Sequence, residues 1–192
     1  MQKHIHSRHS LLALSAALWL TAGLAAEPSA SFGVSLPSIA AGSRLPQAQV
    51  FNGFGCQGGN VSPAIQWHDA PLGTRSFAVT LYDPDAPTGS GWWHWLVYNI
   101  PVTVTALSEH AGDAGGKLLP AGAVQGRTDF GTTGFGGACP PVGDKPHRYI
   151  FTVYALKIER IDLPADASSA MIGAMLNGHQ LGRVSVTARY SR

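Results

Sequence analysis

Several stretches of the chain carry the apolar patterns that are typical of β-strands. In residues 77–83, large apolar side chains occupy every second position, at Phe77, Val79 and Leu81. On an extended backbone these three side chains fall on one face. Three further stretches are rich in β-branched and aromatic residues, at 95–100, 147–158 and 183–190. Residues 47–50 and 64–67 are weaker strand candidates. The pattern predicts a chain built mainly from β-strands.

One segment near the end of the chain predicts a helix. Asp166 or Ser168 can cap its first turn, and Gly178 follows as a stop signal. Its expected apolar face consists of Ala170, Met171, Ala174 and Met175. Strands of uneven length with one late helix indicate a mainly β fold, an antiparallel β-sandwich with one or two short helices.

Residues 109–137 are rich in glycine and show no periodicity. We expect a long connection here, and loops of this length are often functional. They form a candidate interaction surface.

The first 26 residues have the pattern of a secretory signal. Lys3 and Arg8 are basic, residues 11–24 are largely apolar, and the small residues Ala25 and Ala26 stand at an expected cleavage point. An uncleaved membrane anchor is the alternative, but the apolar run is short for a span, which needs about 20 residues. We therefore expect a signal peptide at 1–26, a single domain at 27–192, and a periplasmic or secreted protein without a stable membrane anchor.

Composition limits the classes of function. The chain has 192 residues, a formal charge of +2 and only 12% charged residues. Because nucleic-acid binding requires a clustered basic face, it is not expected. Cys56 and Cys139 form a disulfide or remain buried free thiols. We favour the disulfide, which would stabilise the fold by roughly 4 kcal/mol in the chain-entropy description.

Asp83, Asp85, His94 and His147 are the residues that suggest a metal site or a catalytic site. They lack the short spacings of metal-binding motifs, and the chain has no Gly-x-Ser-x-Gly nucleophile motif. Asp83 and Asp85 alternate along an extended backbone, so their carboxylates should diverge, unlike a glycosidase pair. We therefore expect neither metal, nor cofactor, nor catalysis, although a metal-dependent hydrolase stays an alternative.

A rigid anion-binding pocket accounts better for the same residues. A histidine that is oriented through one nitrogen can direct the other toward a ligand oxygen. His147 and Tyr149, two residues apart, project from the same strand face. The backbone N–H groups of residues 134–138 are further candidate donors. Trp92, Trp93 and Trp95 form apolar walls in this interpretation and core in the simpler one.

Three motifs follow one another along the chain: DPDAP at 83–87, GWWHW at 91–95, and CPP at 139–141 followed by HRY at 147–149. In this order they resemble the phosphatidylethanolamine-binding protein family, which includes the Raf kinase inhibitor proteins. The stretch FGCQGGNVSP at 54–63 resembles the bacterial branch, which has exported members. The likeness runs from about residue 32 to residue 190.

The resemblance implies a β-sandwich of that family with a pocket for phosphate-like anions or phospholipid head groups. The ligand-binding residues that it carries over are Asp83, Asp85, Trp92, His94, Pro141, His147 and Tyr149. It implies a binding or inhibitory protein rather than an enzyme, with a kinase or protease among the expected types of protein partner. A homodimer is one of the oligomeric states compatible with the sequence.

Two positions depart from the family pattern, and the chain end adds a third difference. Phe135 stands where a pocket tyrosine is usual, and Ala138 stands where many bacterial relatives have proline. The chain stops at Arg192, without the C-terminal helix that partly covers the pocket in mammalian relatives. We expect a more open pocket.

Overall fold

A computed structural model describes residues 31–192. It contains ten β-strands and one α-helix: β1 (Gly33–Ser35), β2 (Asn52–Gly53), β3 (Cys56–Gln57), β4 (Ile65–His68), β5 (Ser76–Asp83), β6 (Trp92–Pro101), β7 (Ala106–Leu107), β8 (Val124–Gln125), β9 (His147–Leu156), α1 (Ser169–His179) and β10 (Gln180–Tyr190). The predicted signal segment, 1–26, lies outside the described residues. Across residues 31–192, no helix combines the length and apolar character needed to cross a bilayer.

The main sheet has five antiparallel strands in the order β10-β9-β5-β6-β8. Central strand β5 pairs with β6 and β9, with Asp83 opposite Trp92 and Tyr82 opposite Ile150. Because β5 ends where β6 and β9 begin, the first residues of β6 and β9 lie beside Asp83. This edge of the sheet holds the candidate site.

The sandwich is completed by a three-stranded sheet in the order β1-β4-β7. Phe77, Val79 and Leu81 face this sheet and belong to the main buried cluster, which also contains Trp67 of β4. The rings of Trp67 and Phe77 lie 5.4 Å apart. The prediction of a mainly β, antiparallel sandwich is confirmed, and so is the one-face grouping along 77–83.

Helix α1 covers the opposite face of the large sheet. Ser168 caps it, since its Oγ accepts a hydrogen bond from the Met171 N–H at 3.2 Å. The predicted apolar face was wrong at three of its four positions. Ile172 and Leu176 are buried with Ser169 and Gly173, whereas Ala170, Met171 and Ala174 are exposed. The fourth, Met175, is partly buried and packs against the core beneath the helix. The larger branched side chains reach the sheet, and Gly178 lies inside the helix rather than after it.

The weak strand prediction at 47–50 was also wrong, because Gln47–Gln49 forms a single 3-10 turn. The 64–67 prediction corresponds to β4. Residues 109–137 are irregular except for β8, as expected for a long connection.

Candidate functional site

A cavity of about 180 Å³ opens at the edge where β5 ends and β6 and β9 begin. Pockets for drug-sized ligands are larger, roughly 300–1,000 Å³, so this cavity suits a small group. Six of the seven predicted ligand-binding residues line it: Asp83, Trp92, His94, Pro141, His147 and Tyr149. The seventh, Asp85, lies outside.

Asp83 and His147 form a buried ion pair at the base of the cavity. Asp83 Oδ2 is 2.8 Å from His147 Nδ1, and the two side chains are 3% and 4% exposed. Burial lowers the pKa of His147, but the hydrogen bonds and negative charges of Asp83 and Asp144 together outweigh this, and the net effect is a raised pKa. Asp144 Oδ2 lies 3.2 Å from Nε2 on the other side of the ring. Both ring nitrogens therefore donate to carboxylates, and the imidazole is held in its protonated form.

His94 is held differently, by backbone. Its Nδ1 lies 2.7 Å from the Gly136 carbonyl oxygen. A carbonyl only accepts, so Nδ1 carries the proton. Burial lowers the pKa of His94, and the neutral ring then leaves Nε2 as an acceptor. This nitrogen has no hydrogen-bond partner among the described residues.

Tyr149 supplies the remaining polar atom of the cavity. Its side chain is fully buried, and its hydroxyl has no hydrogen-bond partner within residues 31–192. Burial and the charge of Asp83 raise the pKa of Tyr149, so the hydroxyl keeps its proton. An unpaired buried hydroxyl costs about 1–3 kcal/mol, which a ligand oxygen can recover.

Asp85 acts from outside the cavity. Its two carboxylate oxygens accept from Nε and Nη2 of Arg148 at 2.9 and 2.7 Å, and Oδ2 also accepts from the Arg148 N–H. The Arg148 hydrogen bond lowers the pKa of Asp85 to about 2. The Asp85 N–H donates to Asp83 Oδ1 at 2.8 Å. Asp85 thus positions Asp83, and the two carboxylates diverge as predicted.

The aromatic wall of the cavity differs from the prediction. Phe135, expected in the pocket loop, is buried away from this cavity and packs its ring against Trp95, with centroids 5.9 Å apart. Phe130 and Phe54 line the cavity instead. Sequence reasoning missed both, because neither lies in a periodic segment. Phe54 stands beside the quoted cysteine motif, which was the available signal.

The prediction of backbone donors was wrong as well for four of its five residues, 135–138. The N–H groups of residues 135–138 donate within the protein, to Gly112 O, His94 O, Asn60 Oδ1 and Gln49 O. These hydrogen bonds hold residues 135–138 in place beside His94, so the four N–H groups are not available to a ligand.

A disulfide and an arginine fix the outer wall. Cys56 and Cys139 are bridged across a sequence separation of 83 residues. The bridge joins the hairpin that carries Phe54 to the segment 139–141. Arg192 strengthens this junction by donating from Nε to the Pro140 carbonyl at 2.6 Å. The two cysteines therefore serve the shape of the cavity.

No group of three or more His, Cys, Asp or Glu side chains in the described part of the chain is arranged to hold a metal ion. His94 and Asp85 point to different partners, which explains why the four candidate ligands do not converge.

The sequence of this sandwich, with its bridged wall and histidine cavity, is similar to those of known proteins. The sequence matches phosphatidylethanolamine-binding proteins over residues 35–191. The chain belongs to the phosphatidylethanolamine-binding protein family. Similar relatives are the UPF0098 proteins YbcL and YbhB of Escherichia coli. YbcL is 56% identical over 84% of this chain and 88% of its own length, and YbhB is 54% identical over 78% and 94%.

Solved structures of this family have the same fold. The crystal structure of Escherichia coli YbcL, described as a new member of the mammalian family, matches with a TM-score of 0.83 at 56% identity. The match covers 85% of this chain and 99% of that chain. A putative homologue from Chlamydia trachomatis, CT736, matches with a TM-score of 0.69 at 27% identity, covering 84% and 98%.

Proposed function

We propose that this protein is a non-catalytic binding protein whose cavity takes a small phosphate-type anion, either free or as the head group of a larger ligand. The observation that carries the proposal is a pair of unpaired polar groups, the Tyr149 hydroxyl and His94 Nε2, in a cavity whose other polar side chains already have partners. A few polar groups within apolar walls are typical of a site that orients a ligand.

The charges of the cavity select the form of the anion. Asp83 is an acceptor, neutral His94 is an acceptor at Nε2, and the protons of His147 are occupied by Asp83 and Asp144. A fully ionised phosphate would meet only one donor, Tyr149. A singly protonated phosphate fits better, because its P–OH donates to His94 Nε2 while another oxygen accepts from Tyr149.

Binding should therefore strengthen as the pH falls. Phosphate esters gain a proton near pH 6, where pKa₂ lies. The lowered pKa of His94 keeps Nε2 an acceptor while the phosphate gains this proton. Once His94 itself is protonated at lower pH, Nε2 donates instead, to an ionised phosphate oxygen rather than accepting from the P–OH.

The same hydrogen bonds support a binding role rather than catalysis. His147 is held protonated between two carboxylates and is a poor proton acceptor. The raised pKa of Tyr149 makes its hydroxyl a poor nucleophile. Neither group is prepared for acid–base chemistry near neutral pH.

Calorimetric titration with methyl phosphate, a monoester whose only P–OH is largely lost between about pH 6 and about pH 8, tests this assignment. We expect tighter binding at the lower pH, and loss of binding in His94→Ala and in Tyr149→Phe. Tyr154→Phe is the matched control, since Tyr154 is buried in the separate cluster beneath α1. Unchanged phosphate affinity in His94→Ala would reject the site.

A second candidate function is an inhibitor or interaction module that works through residues 109–137, with a kinase or protease as partner. The observation in its favour is Leu118, a large apolar side chain that is 52% exposed on this loop. Pull-down with the wild type and with His94→Ala/Tyr149→Phe separates the two candidates. Retention of the same partner by both proteins supports the loop, and loss from the double variant supports the cavity.

We also propose that the protein is exported and acts in the periplasm or outside the cell. The Cys56–Cys139 disulfide supports this, because such bridges persist in oxidising compartments. Intact-mass measurement of protein from a periplasmic extract tests it. We expect a mass that corresponds to cleavage after Ala26, and a full-length mass would contradict the signal-peptide prediction.

A further inference from the structure

A second cavity adjoins the first and is larger, about 480 Å³. Phe54 and Phe130 line both cavities, so these two side chains lie between them. Together with Phe51 they form an aromatic partition, in which ring centroids lie 4.6–5.9 Å apart. Most of the remaining wall comes from the glycine-rich connection at 109–137. Of this connection, only Phe130 lines the first cavity.

The backbone around this second cavity has an unusual conformation. Five non-glycine residues of the described chain have positive φ, and three of them line the cavity: Phe54 at 52°, Asn60 at 51° and His110 at 68°. This region is tolerated by asparagine but is unfavourable for an aromatic residue such as phenylalanine. Backbone strain of this kind concentrates at binding sites. Here it holds the Phe54 ring 69% exposed between the two cavities.

Several polar side chains of the second cavity have no hydrogen-bond partner among the described residues. Asp113 Oδ1 is buried without a partner, whereas His110, Thr132 and Thr133 are exposed and make no side-chain hydrogen bond to residues 31–192. Asn60, by contrast, is fully engaged, since its amide donates to Phe135 O and its Oδ1 accepts from Gly137 N. The wall therefore contains groups that maintain the fold and a separate set that remains available.

The available groups define a ligand chemistry. Asp113 only accepts, whereas threonine hydroxyls both donate and accept. Hydroxyl groups on a ligand can pair with the carboxylate and with the threonine hydroxyls, because each hydroxyl both donates and accepts a hydrogen bond. The exposed face of Phe54 carries partial negative charge and suits the C–H face of a sugar ring.

From these observations we propose that the second cavity binds the polyhydroxylated part of a ligand whose phosphate occupies the first cavity. The ligand class is a sugar phosphate or another polyol phosphate. The inference rests on the proposed anion site and extends it across the Phe54–Phe130 partition.

Calorimetry with three probes tests this: inorganic phosphate, glucose 6-phosphate and phosphoethanolamine, all at about pH 6. We expect glucose 6-phosphate to bind about tenfold more tightly than phosphate, the gain expected from two added hydrogen bonds of ordinary strength. Phosphoethanolamine lacks the hydroxyls and should show no such gain. If it gains as much as the sugar phosphate, or if glucose 6-phosphate shows no gain, the inference is overturned.

Variants of the second cavity localise the effect. Asp113→Asn and Thr132→Val/Thr133→Val should each reduce the advantage of glucose 6-phosphate severalfold and leave phosphate affinity unchanged. Leu118→Ala, on the same connection but outside the cavity, is the control and should change neither affinity. An undiminished sugar-phosphate advantage in both cavity variants would overturn the assignment.

The outcomes separate the two proposals. Phosphate binding without a sugar-phosphate gain leaves the anion site standing and overturns only the second cavity. Failure of both phosphate and glucose 6-phosphate to bind contradicts the anion site itself.

Discussion

Replacing Asp83 by asparagine would test the buried ion pair directly. The variant keeps the Oδ1 acceptor for the Asp85 N–H but removes the negative charge beside His147. Breaking a buried pair costs 3–5 kcal/mol when the remaining charge stays buried. Asp144 still contacts Nε2 at 3.2 Å, so we expect the lower end of this range, about 3 kcal/mol, while His147 is protonated.

The loss should depend on pH in a defined direction. The pKa of His147 is raised above 6.5 in the folded protein, so its pairing contributes fully below pH 6.5 and is lost as the pH rises through the folded value. Once neutral, His147 is satisfied by an amide, and the cost should fall below about 1 kcal/mol. The charge of Asp83 also raises the pKa of His94, which burial lowers, so its removal deepens the cost of burying His94 in acid and acts in the same direction as the loss at His147.

Urea unfolding of the wild type and Asp83→Asn at about pH 5.5 and about pH 9 measures both values. Asp162→Asn is the control, because Asp162 pairs with Arg160 while its side chain is 79% exposed. That pair should contribute less than about 1 kcal/mol at either pH. An equal loss of stability in Asp83→Asn at the two pH values would show that His147 is not held protonated by Asp83.

Three further predictions concern the scaffold. Ile172→Ala should lower the free energy of unfolding by about 2–5 kcal/mol, as measured by urea unfolding. The exposed substitution Met171→Ala should change it by no more than about 0.5 kcal/mol. Equal effects of the two substitutions would contradict the observed helix face. Cys139→Ser should lower the free energy of unfolding by roughly 4 kcal/mol and make it insensitive to reductant. If reductant leaves the stability of the wild type unchanged, the bridge does not stabilise the fold. The stability difference between the wild type and Asp85→Asn should be present above pH 3.8 and disappear as the pH falls through about 2; acid titration followed by circular dichroism checks this, and a difference that persists in strong acid would contradict it.

Four of the five strands of the large sheet were predictable because burial leaves a direct record in the sequence, whereas β8, two residues long, was not predicted. β5 shows the alternation, and β9 and β10 show the β-branched content, so their positions were found to within a few residues. The cavity residues were found through motifs rather than periodicity. Asp83 and His147 are 64 positions apart, and only strand pairing brings them together.

Other features depend on contacts that leave no local pattern. The helix prediction gave weight to alanine and methionine, but Ile172 and Leu176 reach deeper into the space above the sheet. Phe130 and Phe135 are both single aromatic residues in an aperiodic loop. Which of them lines the cavity is decided by the hydrogen bonds that fix residues 135–138, and these involve segments distant in sequence.

The row of groups from Asp83 through His147 to Asp144 runs from the cavity to the outer surface, where Asp144 is 40% exposed. A histidine can pass a proton between groups that are hydrogen-bonded to its two ring nitrogens. A molecule that contacts Asp83 and blocks the mouth of the cavity would thus still exchange protons with the surrounding water. Release of such a molecule by a change in external acidity would not require the mouth to open first.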